Sequence, residues 1–139
     1  MSNDIGLIFV YGTLKEKSPS DSYARIFDDF RLRSVSATVK GTLYDLGYFP
    51  ALVLGGNSVV YGELHKYKNF RKVIATMDQI EGYHGRDNCD NLYRRVKVQV
   101  AIDASETYLT ATAYEFAQAV GEAKVVSNGV WEMDMVHNT

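Results

Sequence analysis

Apolar and polar positions alternate in recognisable periods along most of the chain. Residues 5–11, Ile5-Gly6-Leu7-Ile8-Phe9-Val10-Tyr11, are apolar almost throughout, which predicts a strand buried on both faces. After the polar stretch 15–20, Ser20 or Asp21 is placed to cap a short helix carrying Tyr23, Ile26, Phe27 and Phe30 at helical spacing. Residues 38–46 read as a strand and 47–50 as a loop. Residues 51–54 and 59–67 read as two strands around Gly55-Gly56-Asn57-Ser58, a hairpin signal. Residues 70–80 form the clearest helix, with a polar loop over 82–92 behind it. In residues 93–102, Val96, Val98, Val100 and Ile102 share one face and Arg95, Lys97 and Gln99 the other. A turn at 103–106 leads into a strand over 107–116. Val125 and Val126 suggest a short edge strand, and the tail beyond Trp131 is expected to be loosely held.

Strands dominate this pattern. The expected fold is α+β: a small, mostly antiparallel, strongly curved sheet or barrel flanked by two or so helices. Gly41 and Gly62, inside predicted strands, suit sharp curvature. With 139 residues and a hydrophobic fraction of 46%, a single domain spanning 1–139 is expected.

Charge narrows the partners. Fifteen Lys and Arg against seventeen Asp and Glu give a formal net charge of −2. That balance disfavours nonspecific nucleic-acid or anionic-membrane binding, both of which need surplus positive charge. The one cysteine, Cys89, has no partner for an internal disulfide, and His65, His84 and His137 show no metal-ligand spacing. Cys89 lies with His84 in a polar loop without a visible orienting group, so it reads as a loop residue rather than a nucleophile. The N-terminus lacks a basic region and the first apolar run is too short for a signal or a membrane span, so the expected compartment is cytoplasmic.

Candidate chemistry centres on Glu81. Advancing about 100° per residue from Phe70 places Val73, Ile74, Met77 and Ile80 in one stripe. Glu81 falls near the middle of that stripe, at the helix end where the macrodipole disfavours negative charge. If the helix runs to Glu81, burial and dipole both raise its pKa toward the range of a general acid–base catalyst. If the helix ends before Ile80, Glu81 turns into solvent. The second candidate is Tyr11-Gly12-Thr13-Leu14. A buried strand ending in Gly and a hydroxyl residue either presents consecutive N–H groups to an anion or is a plain turn.

The motifs have a family likeness. Tyr11-Gly12-Thr13-Leu14 resembles the Tyr-Gly-Ser/Thr-Leu signature of gamma-glutamylcyclotransferase-like proteins. Tyr48-Phe49-Pro50-Ala51-Leu52-Val53 resembles their Tyr-Pro-Ala-Leu-Val loop, and Val60-Tyr61-Gly62-Glu63-Leu64 their Val-x-Gly-Glu-Val/Leu strand. Met77-Asp78-Gln79-Ile80-Glu81-Gly82 is similar to their Leu-Asp-x-x-Glu-Gly segment. Leu92-Tyr93-Arg94-Arg95 resembles a Tyr-x-Arg strand start, and Gly129-Val130-Trp131 a C-terminal Gly-x-Trp. The matches run in the family's order from Ile8 to Trp131.

The resemblance implies a small β-barrel with flanking helices and a cavity where the Tyr11–Leu14 loop faces Glu81. It implies a γ-glutamyl small-molecule substrate, closure of that group to 5-oxoproline with release of an amine, Glu81 as the catalytic acid/base, and no metal or cofactor. Tyr11, Gly12, Thr13, Leu14, Pro50 and Tyr93 are the substrate-binding candidates it points to. Tyr93 otherwise simply opens a strand, and Arg95 reads as a surface residue. The loop 82–92 is longer than in compact members, so the resemblance does not specify the leaving group. A binding or regulatory module of the same fold, without turnover, is the alternative class.

Overall fold

The computed structural model describes residues 4–11, 27–47, 49–102 and 107–131. Six strands and one helix are found among them: β1 (Ile5–Val10), β2 (Arg31–Asp45), β3 (Pro50–Lys68), α1 (Phe70–Glu81), β4 (Tyr93–Ile102), β5 (Tyr108–Phe116) and β6 (Lys124–Val125). The sheet order is β3-β1-β5-β4-β2-β6, and β2 also pairs with β3. That second pairing closes β1 to β5 into a five-stranded barrel, with β6 attached to the far end of β2 through Tyr44 and Asp45.

The expectation of a mostly antiparallel sheet with about two helices is matched in outline, since five of the six strand pairings among the described residues are antiparallel. The barrel is mixed, because β1 and β5 run parallel at Ile8 and Thr112. One helix stands among the described residues. The short helix expected from Ser20 or Asp21 falls mainly outside them, and its described end, residues 27–30, is a turn. The expected turn at 103–106 and the tail beyond Trp131 also lie outside the described residues.

Two cores explain the apolar pattern. Inside the barrel, Phe9, Tyr11, Val39, Leu52, Val60, Leu64, Val100, Ala111 and Trp131 pack together. Outside it, Ile8, Val10, Tyr67, Tyr93, Tyr114 and Phe116 meet Val73 and Met77 of α1. Side chains alternate across a strand. The odd positions of β1 therefore fill the barrel and the even ones carry the helix, so the strand is apolar on both faces. His65 is wholly buried. Its Nδ1 is 2.8 Å from the Tyr67 hydroxyl and its Nε2 is 2.9 Å from Glu63.

The hairpin expected at 55–58 is not formed. Leu54 pairs with Gly41 and Val59 with Lys40, so both halves of β3 run antiparallel to one strand and the chain never reverses. Residues 55–58 are looped out between those two steps. Gly55 at φ 108° and Gly56 at φ 75° take the positive φ that such a loop requires. β2 also starts earlier than the expected residue 38. Its first half, residues 31–36, is exposed or only partly buried and is held as strand by pairing with residues 63–67 of β3.

Candidate active site

Helix α1 places Glu81. Its N-terminal donors are satisfied from outside the helix: Asp4 O accepts from Phe70 N–H at 3.1 Å, and the Asp4 carboxylate accepts from Arg71 N–H at 3.1 Å. At the other end Gly82 adopts φ 66°, and its N–H bonds back to the helix. Tyr83 N–H donates to Asp78 O at 2.9 Å, which makes the stop a left-handed glycine cap of the Schellman kind. The helix therefore includes Glu81 and carries it on the same stripe as Val73 and Met77. Glu81 as a residue is partly buried. Its carboxyl is sunk deeply enough that burial pushes its pKa up from 4.5 to about 7.

Three tyrosine hydroxyls lie near enough to feel the Glu81 charge. Tyr11, at the end of β1, donates to Tyr114 O at 2.6 Å. Tyr93, at the start of β4, donates to Pro50 O. Tyr114 donates to the Asp78 carboxylate at 2.7 Å. Burial is the first cause of the raised pKa of all three hydroxyls, and the Glu81 charge adds to each. The Tyr93 hydroxyl adds further to Tyr11. All three phenols therefore stay neutral at any physiological pH. Tyr11, Pro50, Glu81 and Tyr93 are thus brought together at one end of the barrel. Gly12, Thr13 and Leu14 lie outside the described residues.

Residues outside the helix support this end of it, and helical spacing does not reveal them. Asp78, one turn before Glu81, accepts from Arg95 Nη1 at 2.6 Å as well as from Tyr114. Arg95 also lies 5.2 Å from the centre of the Tyr83 ring. Arg95 is therefore more than a surface residue: it ties β4 to the end of α1 that carries Glu81. Arg94 pairs with Glu115 at 3.0 Å, and Glu115 accepts from Leu54 N–H at 2.8 Å, joining β3, β4 and β5 at the same barrel end. The one available signal was Asp78 three residues before Glu81 on a helix. Its partners sit 17 and 36 residues further along the chain.

The loop behind the helix is braced internally. Buried Asn91 accepts from His84 N–H at 2.6 Å and donates to Gly85 O at 2.8 Å. Gln118 donates to Asn91 O at 2.6 Å, and Leu92 N–H returns to Gly82 O at 3.0 Å. Cys89 in this loop is exposed. Among the described residues no group of three or more His, Cys, Asp or Glu could hold a metal ion. Among them, too, no helix is long and apolar enough to cross a membrane.

Comparison with known proteins identifies the family and supports the fold. The profile of the family "Gamma-glutamyl cyclotransferase, AIG2-like" matches residues 8–133, and the chain belongs to that family. It is 34% identical over 94 residues to the gamma-L-glutamyl-butirosin B gamma-glutamyl cyclotransferase of Niallia circulans. That match covers 67% of this chain and 56% of the relative's length. Among solved structures, YkqA from Bacillus subtilis superposes with a TM-score of 0.67 at 22% identity, over 96% of this chain and 42% of that one. An AIG2-like protein from Mus musculus gives 0.67 at 18% identity, over 94% and 90%. At these identities the structures support the fold.

Proposed function

We propose that this protein is a gamma-glutamyl cyclotransferase. It takes a γ-glutamylamine or γ-glutamyl amino acid and releases 5-oxoproline and the free amine, with Glu81 as general acid/base. The observation that carries this reading is a buried carboxyl with a pKa of about 7 at a barrel end that also holds neutral phenols, in a chain of this family.

The chemistry asks for little beyond this. The substrate's α-amine attacks its own γ-carbonyl, a C–N bond forms within a five-membered ring, and the amide C–N bond to the leaving amine breaks. Glu81 in its ionised form takes the proton lost by the α-amine, and the resulting acid returns it to the departing nitrogen. No proton, electron or co-reactant is left over. Because nucleophile and electrophile share one molecule, the site must mainly hold the folded conformer. Tyr93 suits that task. Its hydrogen is committed to Pro50 O, so its remaining lone pairs accept and can meet an N–H of the α-amine. Pro50 then acts by fixing the Tyr93 hydroxyl. Tyr11 receives Leu52 N–H and gives its own proton to Tyr114 O, so it serves as a rigid wall. In this reading the backbone N–H groups of Gly12, Thr13 and Leu14 hold the substrate and its developing oxyanion.

The test is direct. Purified protein incubated with a panel of γ-glutamyl amines and γ-glutamyl amino acids should release 5-oxoproline, detected by mass spectrometry. Glu81→Gln, which keeps shape but cannot exchange the proton, should lower the rate by about 10²–10⁴-fold. A Glu81→Gln protein as active as wild type would remove Glu81 from the mechanism. Wild type that binds members of the panel without releasing product would instead support a binding module.

A further inference from the structure

The end of the barrel away from Glu81 holds a cavity. Ile5, Leu7, Val35, Leu64, Ile102 and Leu109 line an apolar cup of about 460 Å³. Leu7, Val35, Leu64 and Ile102 also border the core inside the barrel, so the cup is the open end of the barrel interior. α1 begins beside this end, at the Asp4 bond to Phe70 N–H. Its 12 residues, at 1.5 Å each, put Glu81 about 18 Å away.

Two cations share this cup with the apolar side chains. Arg33 and Lys66 both line it, and they are direct cross-strand partners in the β2–β3 ladder. One step further in, Val35 and Leu64 are partners, and Lys66 also faces Leu7 on β1. Strand alternation therefore puts both charges on the barrel's inner face, at its rim. Like charges directly opposite each other destabilise a strand pair. Among the described residues no carboxylate lines the cup, and neither the Arg33 nor the Lys66 side chain has a hydrogen-bond or ion-pair partner. A greasy pocket of this size with a small number of convergent polar groups is the usual form of a small-molecule site.

The geometry points to a binding site for a small amphipathic monocarboxylate. The tail occupies the cup, and the carboxylate sits between the Arg33 guanidinium and the Lys66 ammonium. A neutral apolar molecule would fill the cup and leave the paired cations facing each other. A small inorganic anion would answer the cations and leave the cup empty. A second copy of the chain docked symmetrically would press the same two cations against their own images, raising the repulsion. The carboxylate neutralises both charges at once and removes the cross-strand repulsion, in charge-assisted hydrogen bonds that Arg favours. This inference stands apart from the cyclotransferase reading, since it uses none of the residues around Glu81.

Sodium decanoate is a suitable probe, with decanol and acetate as controls. In titrations followed by methyl and amide NMR, decanoate should shift Leu7, Val35 and Leu109 saturably, at least ten-fold more tightly than decanol. Acetate should leave them in place. The double variant Arg33→Gln with Lys66→Gln should lose at least ten-fold in decanoate affinity while decanol binding and 5-oxoproline release stay unchanged. Both residues are exposed, so the variant should fold. Equal binding of decanol and decanoate would overturn the proposal, as would no saturable shift. So would shifts confined to the Glu81 end, or a concentration-dependent dimer that buries these methyl groups.

Discussion

Glu81 places a titration near neutrality inside a folded end of the barrel, and this has two measurable consequences. As a general base it must be ionised, so kcat/KM should rise with pH through an apparent pKa of about 7 and flatten above it. The stability consequence has the opposite sense. The folded pKa is raised, so between about 4.5 and about 7 the native state holds a proton that the unfolded chain has lost. The stability this favours is full below about 4.5 and is lost as pH rises through about 7. Above that, an ionised Glu81 costs up to roughly 3 kcal/mol, from about 1.4 kcal/mol per pKa unit. Glu81→Gln should therefore raise Tm at pH 8 and change it little at pH 4, read by calorimetry at both values. A variant that gains nothing at pH 8 would mean the carboxyl is well solvated. Helical spacing was enough to find Glu81, because the period of a helix is a local property.

At the scale of elements, the C-terminal end of α1 is held by two devices of different strength. Gly82 at φ 66° needs a left-handed conformation, and a Cβ there would meet Leu92 Cβ at 3.1 Å. Gly82→Ala should destabilise by about 1–2 kcal/mol, measurable by urea unfolding, and should lower activity by tilting Glu81. Asp78 holds both Tyr114 and Arg95. Asp78→Ala leaves the largely buried Tyr114 hydroxyl without its acceptor and should cost about 1–3 kcal/mol. Arg95→Ala removes only the more exposed partner and should cost below about 1 kcal/mol. If the two cost the same, the Tyr114 bond is not what anchors the helix. None of this could be read from residues 77–82 alone, since the partners arrive from β4 and β5. The hairpin expected at 55–58 failed for a related reason. Gly-Gly-Asn-Ser permits positive φ equally in a reversal and in a bulge, and only the register of β2 against both halves of β3 distinguishes them.

Across the whole molecule the barrel is closed unevenly. β2 and β3 share a ladder running from Arg31 to Asp45, and β4 and β5 pair from Tyr93 to Ala101. The seams that complete the ring are short: Ala37 and Thr38 against Ile102 and Ala101, and Ile8 against Thr112. Local opening follows the regions with the fewest buried contacts and bonds. Amides at the β2–β4 seam should therefore exchange with deuterium sooner than those in the middle of the β2–β3 ladder. Equal protection would show that the ring opens only by global unfolding. Trp131, the single tryptophan, is buried in the barrel core and gives an independent fluorescence reading of that global event.

By itself the sequence determined what depends on neighbours along the chain: the two-faced apolar β1, the amphipathic α1 with its glycine stop, the alternation of β4, and a carboxyl on the apolar stripe. These follow from periods of two and 3.6 residues and from φ preferences, which act over a few residues. Only the tertiary structure decided the mixed barrel, the course of β3 past residues 55–58, the Asp78 tie to Arg95 and Tyr114, the grouping of Tyr11, Pro50, Tyr93 and Glu81, and the meeting of Arg33 with Lys66. Each of these needs a contact between residues far apart in the chain. Such contacts form by register and burial over the whole ring, and no local period encodes them.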